Sequence, residues 1–178
     1  MTMINAAREY LLRGFVPIPV EHSTKKPAIP AWTEFQPTAD NLKRCFESSS
    51  TNVGLLLGPP SANLVDIDLD DPLAIKLAQE LLPETRWRHG RRGAPGSHFF
   101  YIAEGIETER FRDPIGSAML VEIRAEGCQT LVPPSIHPNG EAIKQELDGV
   151  PAEVSASQLR CAASRLAAAN LIVRQSGL

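Results

Sequence analysis

The segment LVDIDLDD, residues 64–71, limits the possible folds more than any other stretch of this chain. Apolar and acidic residues alternate through it with a period of two. That period belongs to a β-strand, with Val65, Ile67 and Leu69 on one face and Asp66, Asp68 and Asp70 on the other. Same-face neighbours along a strand stand ~6.6–6.8 Å apart. Carboxylates that close raise one another's pKa unless a cation compensates, and magnesium or manganese, which favour oxygen ligands, supply such a charge. A solvent-facing acidic stripe on a half-buried strand has the same pattern. A calcium-binding EF-hand loop does not, because Asp71 stands where that loop needs glycine and Leu77 where it needs glutamate.

A chain of 178 residues supports one full core with at most a small appendage. Its 18 Lys and Arg against 21 Asp and Glu leave a net charge of −3, which argues against a purely electrostatic nucleic-acid coat. Charge is nevertheless sorted along the chain. Residues 86–98 hold Arg86, Arg88, His89, Arg91, Arg92 and His98 with no carboxylate, while Asp66, Asp68, Asp70 and Asp71 crowd together. A site for metal and phosphate needs that kind of sorting. Cys45, Cys128 and Cys161 are far apart and form no CxxC or CxxH pattern, so neither a disulfide framework nor zinc is expected. The longest apolar run, NVGLLLG, falls short of the ~20 residues that cross a bilayer. The N-terminus lacks a signal-peptide core. The expectation is a cytoplasmic protein with no membrane partner.

Periodicity and caps predict a helix over 3–13, a strand over 15–20 whose prolines suit a sheet edge, and a loop over 21–37. Thr38 caps a helix to about Phe46, and Asp71-Pro72 opens another to about Leu82. Strands are expected at 52–58 and 63–70, joined by a Pro-Pro-Ser turn, and then near 86–88, 98–102, 119–124, 129–132 and 142–146. A last helix runs over about 157–174. Helices before, within and after sequential strands predict an α+β fold with a mixed or largely antiparallel sheet. The apolar face of the final helix (Leu166, Ala169, Leu171) leads us to expect a piece of something longer.

Three further segments carry candidate chemistry. In AMLVEIRAEG, alternation puts Glu122 and Arg124 on one strand face, where the carboxylate suits a metal and the guanidinium a phosphate, or the two simply pair. GRRGAPGSHFFY (90–101) reads as an arginine-bearing turn running into a strand that begins Ser97-His98, a phosphate-binding corner or a hydrogen-bonded structural histidine. CQTLVPPSIHPNG (128–140) has a rigid Pro-Pro turn that fixes Ser135 and His137. His22 and His89 receive no role.

In this order the segments resemble the primase–polymerase domain of the archaeo-eukaryotic primase superfamily, as carried on phage and plasmid replication proteins. GFVPIPV, KKPAIPAW, NVGLLLGPPSANLVDIDLDD, GRRGAPGSHFFY and VEIRAEGCQTLVPPSIHPNG all contribute, and the likeness spans most of the chain. The resemblance implies an RRM-like catalytic core over 1–150, and a C-terminal helix over 151–178 leading to a further domain. It implies template-directed nucleotidyl transfer, priming or extending DNA, with Asp66, Asp68 and Glu122 as ligands of two magnesium or manganese ions. It implies that His98, Ser97, Arg91 and Arg124 contact the incoming triphosphate, with Ser135, His137 and Lys25 as further nucleotide contacts. Implied partners are a single-stranded DNA template and primer, deoxyribonucleotides or ribonucleotides, and a C-terminal helicase or other replication domain.

Two other classes fit part of the pattern. A metal-dependent nuclease also uses Asp followed by Glu-x-basic, but it favours lysine where Arg124 stands and leaves GRRGAPGSH without a use. A nucleic-acid-binding module with an idle site has no need of clustered negative charge.

Overall fold

The computed structural model describes residues 2–48 and 51–176. Its core is an antiparallel sheet. In spatial order it comprises β6 (Glu109–Arg112), β7 (Met119–Arg124), β3 (Leu64–Asp68), β5 (Ala94–Ile102), β4 (Trp87–Arg91) and β9 (Lys144–Asp148). A two-residue strand β10 (Ala152–Glu153) lies parallel to β5, so the sheet is mixed. A second, three-stranded sheet is ordered β1 (Val16–Glu21), β2 (Thr51–Leu56) and β8 (Gln129–Leu131). The fold is α+β with antiparallel sheets, as expected.

Each helix begins where the chain provides a cap. Thr2 accepts a hydrogen bond from Asn5 N and starts α1 (Met3–Leu12). Thr38 and Asn41 form a reciprocal capping box at α2 (Ala39–Phe46), which satisfies two otherwise orphaned N–H groups. Asp71 accepts from Leu73 N and Ala74 N, and Pro72 opens α3 (Pro72–Leu81). Proline fits β1 because that strand is an edge, where a missing N–H breaks no ladder.

The alternation in β3 divides the interior. Val65 and Ile67 pack with Phe99, Tyr101, Val121 and Ile123 under α3 and α4 (Ala156–Ser176). Leu64, on the aspartate face, packs with Trp87 and Phe100 against α1, α2 and β2. The aspartate face is therefore buried by a second layer, and only its end near Asp68 reaches the surface. The apolar face of α4 is covered here: Leu159, Ala163 and Leu166 are fully buried against α3 and β7. Buried Asn170 donates to Asp71 Oδ1 at 2.5 Å and Arg174 pairs with Asp71, tying α4 to the turn that follows β3.

Two expectations change. Residues 90–101 form a β-hairpin: β4 runs through Arg91, Arg92-Gly93 make the turn, and β5 starts at Ala94, earlier than Ser97-His98. The second is β6, whose Glu-Arg-Phe-Arg sequence offers a strand signal too polar to recognise. It is a solvent-facing edge with only alternate residues half-buried.

Candidate active site

Register brings the acidic residues together. β3 pairs with β5 on one side and β7 on the other, placing Asp68 between His98 and Glu122, and Asp66 between Phe100 and Arg124. Opposed residues in an antiparallel pair share a face, so Asp66, Asp68, His98, Glu122 and Arg124 project together. The expected grouping across separate strands is present.

His98 is the centre of this group. Its Nδ1 lies 3.1 Å and 3.0 Å from the two carboxylate oxygens of Asp66, and its Nε2 lies 3.6 Å from Asp68 Oδ1. Burial would raise the pKa of Asp66, but His98 and Arg124 outweigh it and bring the carboxyl down to about 2. Burial likewise pulls His98 down, and Asp66 and Asp68 more than offset it, leaving the imidazole above its ordinary value.

Arg124 touches all three carboxylates. Its Nη1 is 3.3 Å from Asp68 Oδ2 and 3.7 Å from Asp66 Oδ2, and its Nε is 3.8 Å from Glu122 Oε2. Its Nη2 donates to the Gln129 carbonyl. Arg110, directly opposite Glu122 on β6, donates from Nε to Glu122 Oε1 at 2.6 Å. Asp70 sits just beyond, where burial and the Asp68 charge raise its pKa.

This donor set fits a hard divalent cation: oxygen ligands only, on adjacent strands, partly withdrawn from water. Among the described residues, however, no three Asp, Glu, His or Cys groups close around a single point. The space where they converge is held by the Arg124 guanidinium.

The remaining candidates separate. Lys25, Arg91 and His98 all lie close enough to His137 to disfavour its protonated form, although burial contributes most to lowering its pKa. Lys25 is exposed, and its backbone carbonyl accepts from Gln129 Nε2 at 2.8 Å. Arg91 Nε lies 3.3 Å from Glu141 Oε2. Lys25 and Arg91 form a cationic rim beside the acidic cluster, with the neutral His137 close to both. Ser135 is not part of it. Fully buried, it accepts from Val53 N at 2.9 Å and donates to Val53 O at 3.0 Å, fastening the Pro-Pro turn to β2. Ser97 is also buried; alternation along β5 puts it on the side of Phe99 and Tyr101, away from His98, and its hydroxyl has no partner among the described residues.

His89 was given no role in the sequence, yet it lies against the site. Its ring is fully buried, 4.6 Å from His98 and 4.9 Å from Phe100 centroid to centroid, and among the described residues neither ring nitrogen has a hydrogen-bond partner. Burial first, then the charge on His98, holds its pKa well below the usual value. A register shift hides this contact. Continuing the pairing of Arg91 with Ala94 would set His89 against Gly96, but the irregularity between His89 and Arg91 sets it against His98.

Three carboxylates and a histidine thus share one sheet face, bordered by Lys25 and Arg91. Residues 7–156 match the family of bifunctional DNA primase/polymerase N-terminal domains (Prim-Pol), and the chain belongs to that family. Membership implies DNA primase/polymerase activity of the nucleotidyltransferase type, with DNA and nucleotides as partners. Comparison with curated proteins gives no match. Among the described residues no helix is long and apolar enough to cross a membrane.

Proposed function

We propose that this domain extends DNA primers by template-directed nucleotidyl transfer, with Asp66, Asp68 and Glu122 as the ligands of divalent magnesium or manganese. The observation that carries this is the gathering of all three carboxylates, from two adjacent strands, around one guanidinium beside His98. When bound, the metal supplies positive charge for in-line displacement at the α-phosphate. Asp66, besides its part as a ligand, meets His98 Nδ1 and fixes the ring so that Nε2 lies beside Asp68. From there the raised pKa favours an imidazolium that donates to phosphate oxygens. Lys25, Arg91 and His137 border the same cluster, and Arg91 and Lys25 bring charge to the triphosphate. Ser135 and Ser97, which are buried, are left out of the nucleotide site. A phage or plasmid setting, and a helicase or other replication domain beyond α4, belong to the same proposal and rest on the order of the motifs.

The test is incubation with primed single-stranded DNA, nucleotides and magnesium or manganese. Lengthening of the primer supports the reading, shortening makes the domain a nuclease, and no change makes it a binding module. Running a template-only start reaction in parallel separates priming from extension.

A further inference from the structure

Charge in the acidic cluster is balanced before any ion arrives. Asp66 is fully buried, and the side chains of Asp68 and Glu122 are 9 % and 14 % exposed. Carboxylates so withdrawn from water are costly unless a cation lies within reach. Arg110 holds Glu122 from the solvent side, and Arg124, itself 14 % exposed, reaches all three from within.

The manner of contact matters. A guanidinium bound for good grips a carboxylate with two parallel bonds at about 2.7–2.9 Å. Arg124 makes no such fork. One Nη is shared between two aspartates at 3.3 Å and 3.7 Å, and Nε stands 3.8 Å from Glu122. Its closest partner is the Gln129 carbonyl, outside the acidic group. Gln129 in turn donates from Nε2 to the Lys25 carbonyl. The guanidinium is therefore anchored to the β8 backbone at Gln129 and reaches over to the carboxylates as a loosely held charge.

We propose that Arg124 is the resident counter-cation of the acidic cluster, and that it competes with divalent metal for Asp66 and Asp68. Loading the site releases the guanidinium from both aspartates while the Gln129 carbonyl keeps it at the edge of the cluster. This inference rests on the metal-ligand reading above and assigns Arg124 an active part in it. Metal affinity is then set by competition, and Arg124 becomes free for an incoming phosphate only once metal is present.

Binding of manganese alone, followed by the electron paramagnetic resonance of the free ion, tests this without reference to activity. Wild-type protein binds manganese through Asp68, so Asp68→Asn weakens it. Arg124→Gln, which removes the competing charge, binds about tenfold or more tightly. Equal or weaker binding by Arg124→Gln overturns the proposal while leaving the metal site intact, whereas wild-type binding indifferent to Asp68→Asn overturns both. Should Arg124→Gln not fold without metal, the wild-type protein serves instead. Titration with magnesium shifts one arginine Nε–Hε nuclear resonance, the one missing in Arg124→Lys, and the absence of any such shift overturns the proposal.

Discussion

His98 Nδ1 stands 3.0 Å from Asp66 Oδ2 and 3.1 Å from Oδ1, so one fully buried carboxylate meets one imidazole edge-on. The two aspartates of the D-x-D strand are thereby given unequal work. Asp66 is an internal support that orients His98, while Asp68, nearer the surface, stands farther from His98, at 3.6 Å, and closer to Arg124, at 3.3 Å against 3.7 Å for Asp66.

Removing either aspartate abolishes primer extension, but the costs to the fold differ. Asp66→Ala strips a buried partner from His98 and Arg124, a change that costs about 3–5 kcal/mol of stability. Asp68→Ala loses the 3.3 Å contact with Arg124 and the 3.6 Å contact with His98 from a carboxylate that reaches the surface, and costs less than Asp66→Ala, whose carboxylate is fully buried with both oxygens on His98. Urea denaturation of both variants, beside an extension assay, checks this. Normal extension by Asp68→Ala would falsify its assignment as a metal ligand.

The two neighbouring histidines give stability opposite pH slopes. His98 has a folded pKa raised above its ordinary 6.5, so its contribution is complete below pH 6.5 and is lost as pH rises through the folded value. Asp66, lowered from 3.8 to about 2, contributes above 3.8 and loses that contribution as pH falls toward 2. His89, held well below 6.5, contributes above 6.5 and loses as pH falls below it, because only the unfolded chain then takes up the proton. Each slope is at most about 1.4 kcal/mol per pH unit. His98→Gln flattens the unfolding free energy above pH 6.5, and His89→Phe, which keeps the ring against Phe100, flattens it below. Denaturation measured from pH 5 to 9 decides; an unchanged profile in both variants contradicts the assignment.

Ser135 is a structural clasp. Ser135→Ala leaves the Val53 N–H without its side-chain partner in a fully buried place, while the Val53 carbonyl still accepts from Val132 N, at a cost of about 1–3 kcal/mol. Thermal melting falls accordingly, while the KM for nucleotide, measured well below the melting temperature, stays put. A raised KM with unchanged melting would return Ser135 to the nucleotide site.

What was legible in the sequence follows from how local each signal is. Thr38 and Asp71-Pro72 named their helices because a cap is a contact with residues two or three positions away. The faces of β3 followed from alternation alone. The meeting of Asp68 with His98 and Glu122 needs the pairing register, which alternation leaves free; here the resemblance in motif order supplied what local pattern does not. Neither route reached His89, whose contact depends on an irregularity in the β4–β5 ladder, or Arg110, which lies on a strand of polar residues. The hydroxyl of Ser97 was misplaced for a related reason: adjacency to His98 puts it on the opposite side of the strand.

Arg91 offers the sharpest test of the cationic rim, because an acidic neighbour already restrains it. Its Nε lies 3.3 Å from Glu141 Oε2, and Glu141 is steadied in turn by Asn139 Nδ2 at 2.9 Å. Both side chains of the pair are about a quarter exposed, 27 % and 26 %, so the pair is worth about 0.5–1 kcal/mol and is weakened by salt. A triphosphate reaching Arg91 has to displace that carboxylate. Glu141→Gln removes the competitor and lowers the KM for nucleotide about two- to fivefold at low salt. Arg91→Ala raises KM by a similar factor, and neither changes kcat, because Arg91 stands at the rim and not among the three carboxylates. Added salt shrinks the first effect, since screening already loosens Glu141 in the wild type. A Glu141→Gln variant with a raised KM, or an Arg91→Ala variant with none, removes Arg91 from the nucleotide path and leaves the pair as a clamp between the end of β4 and the turn after Ser135.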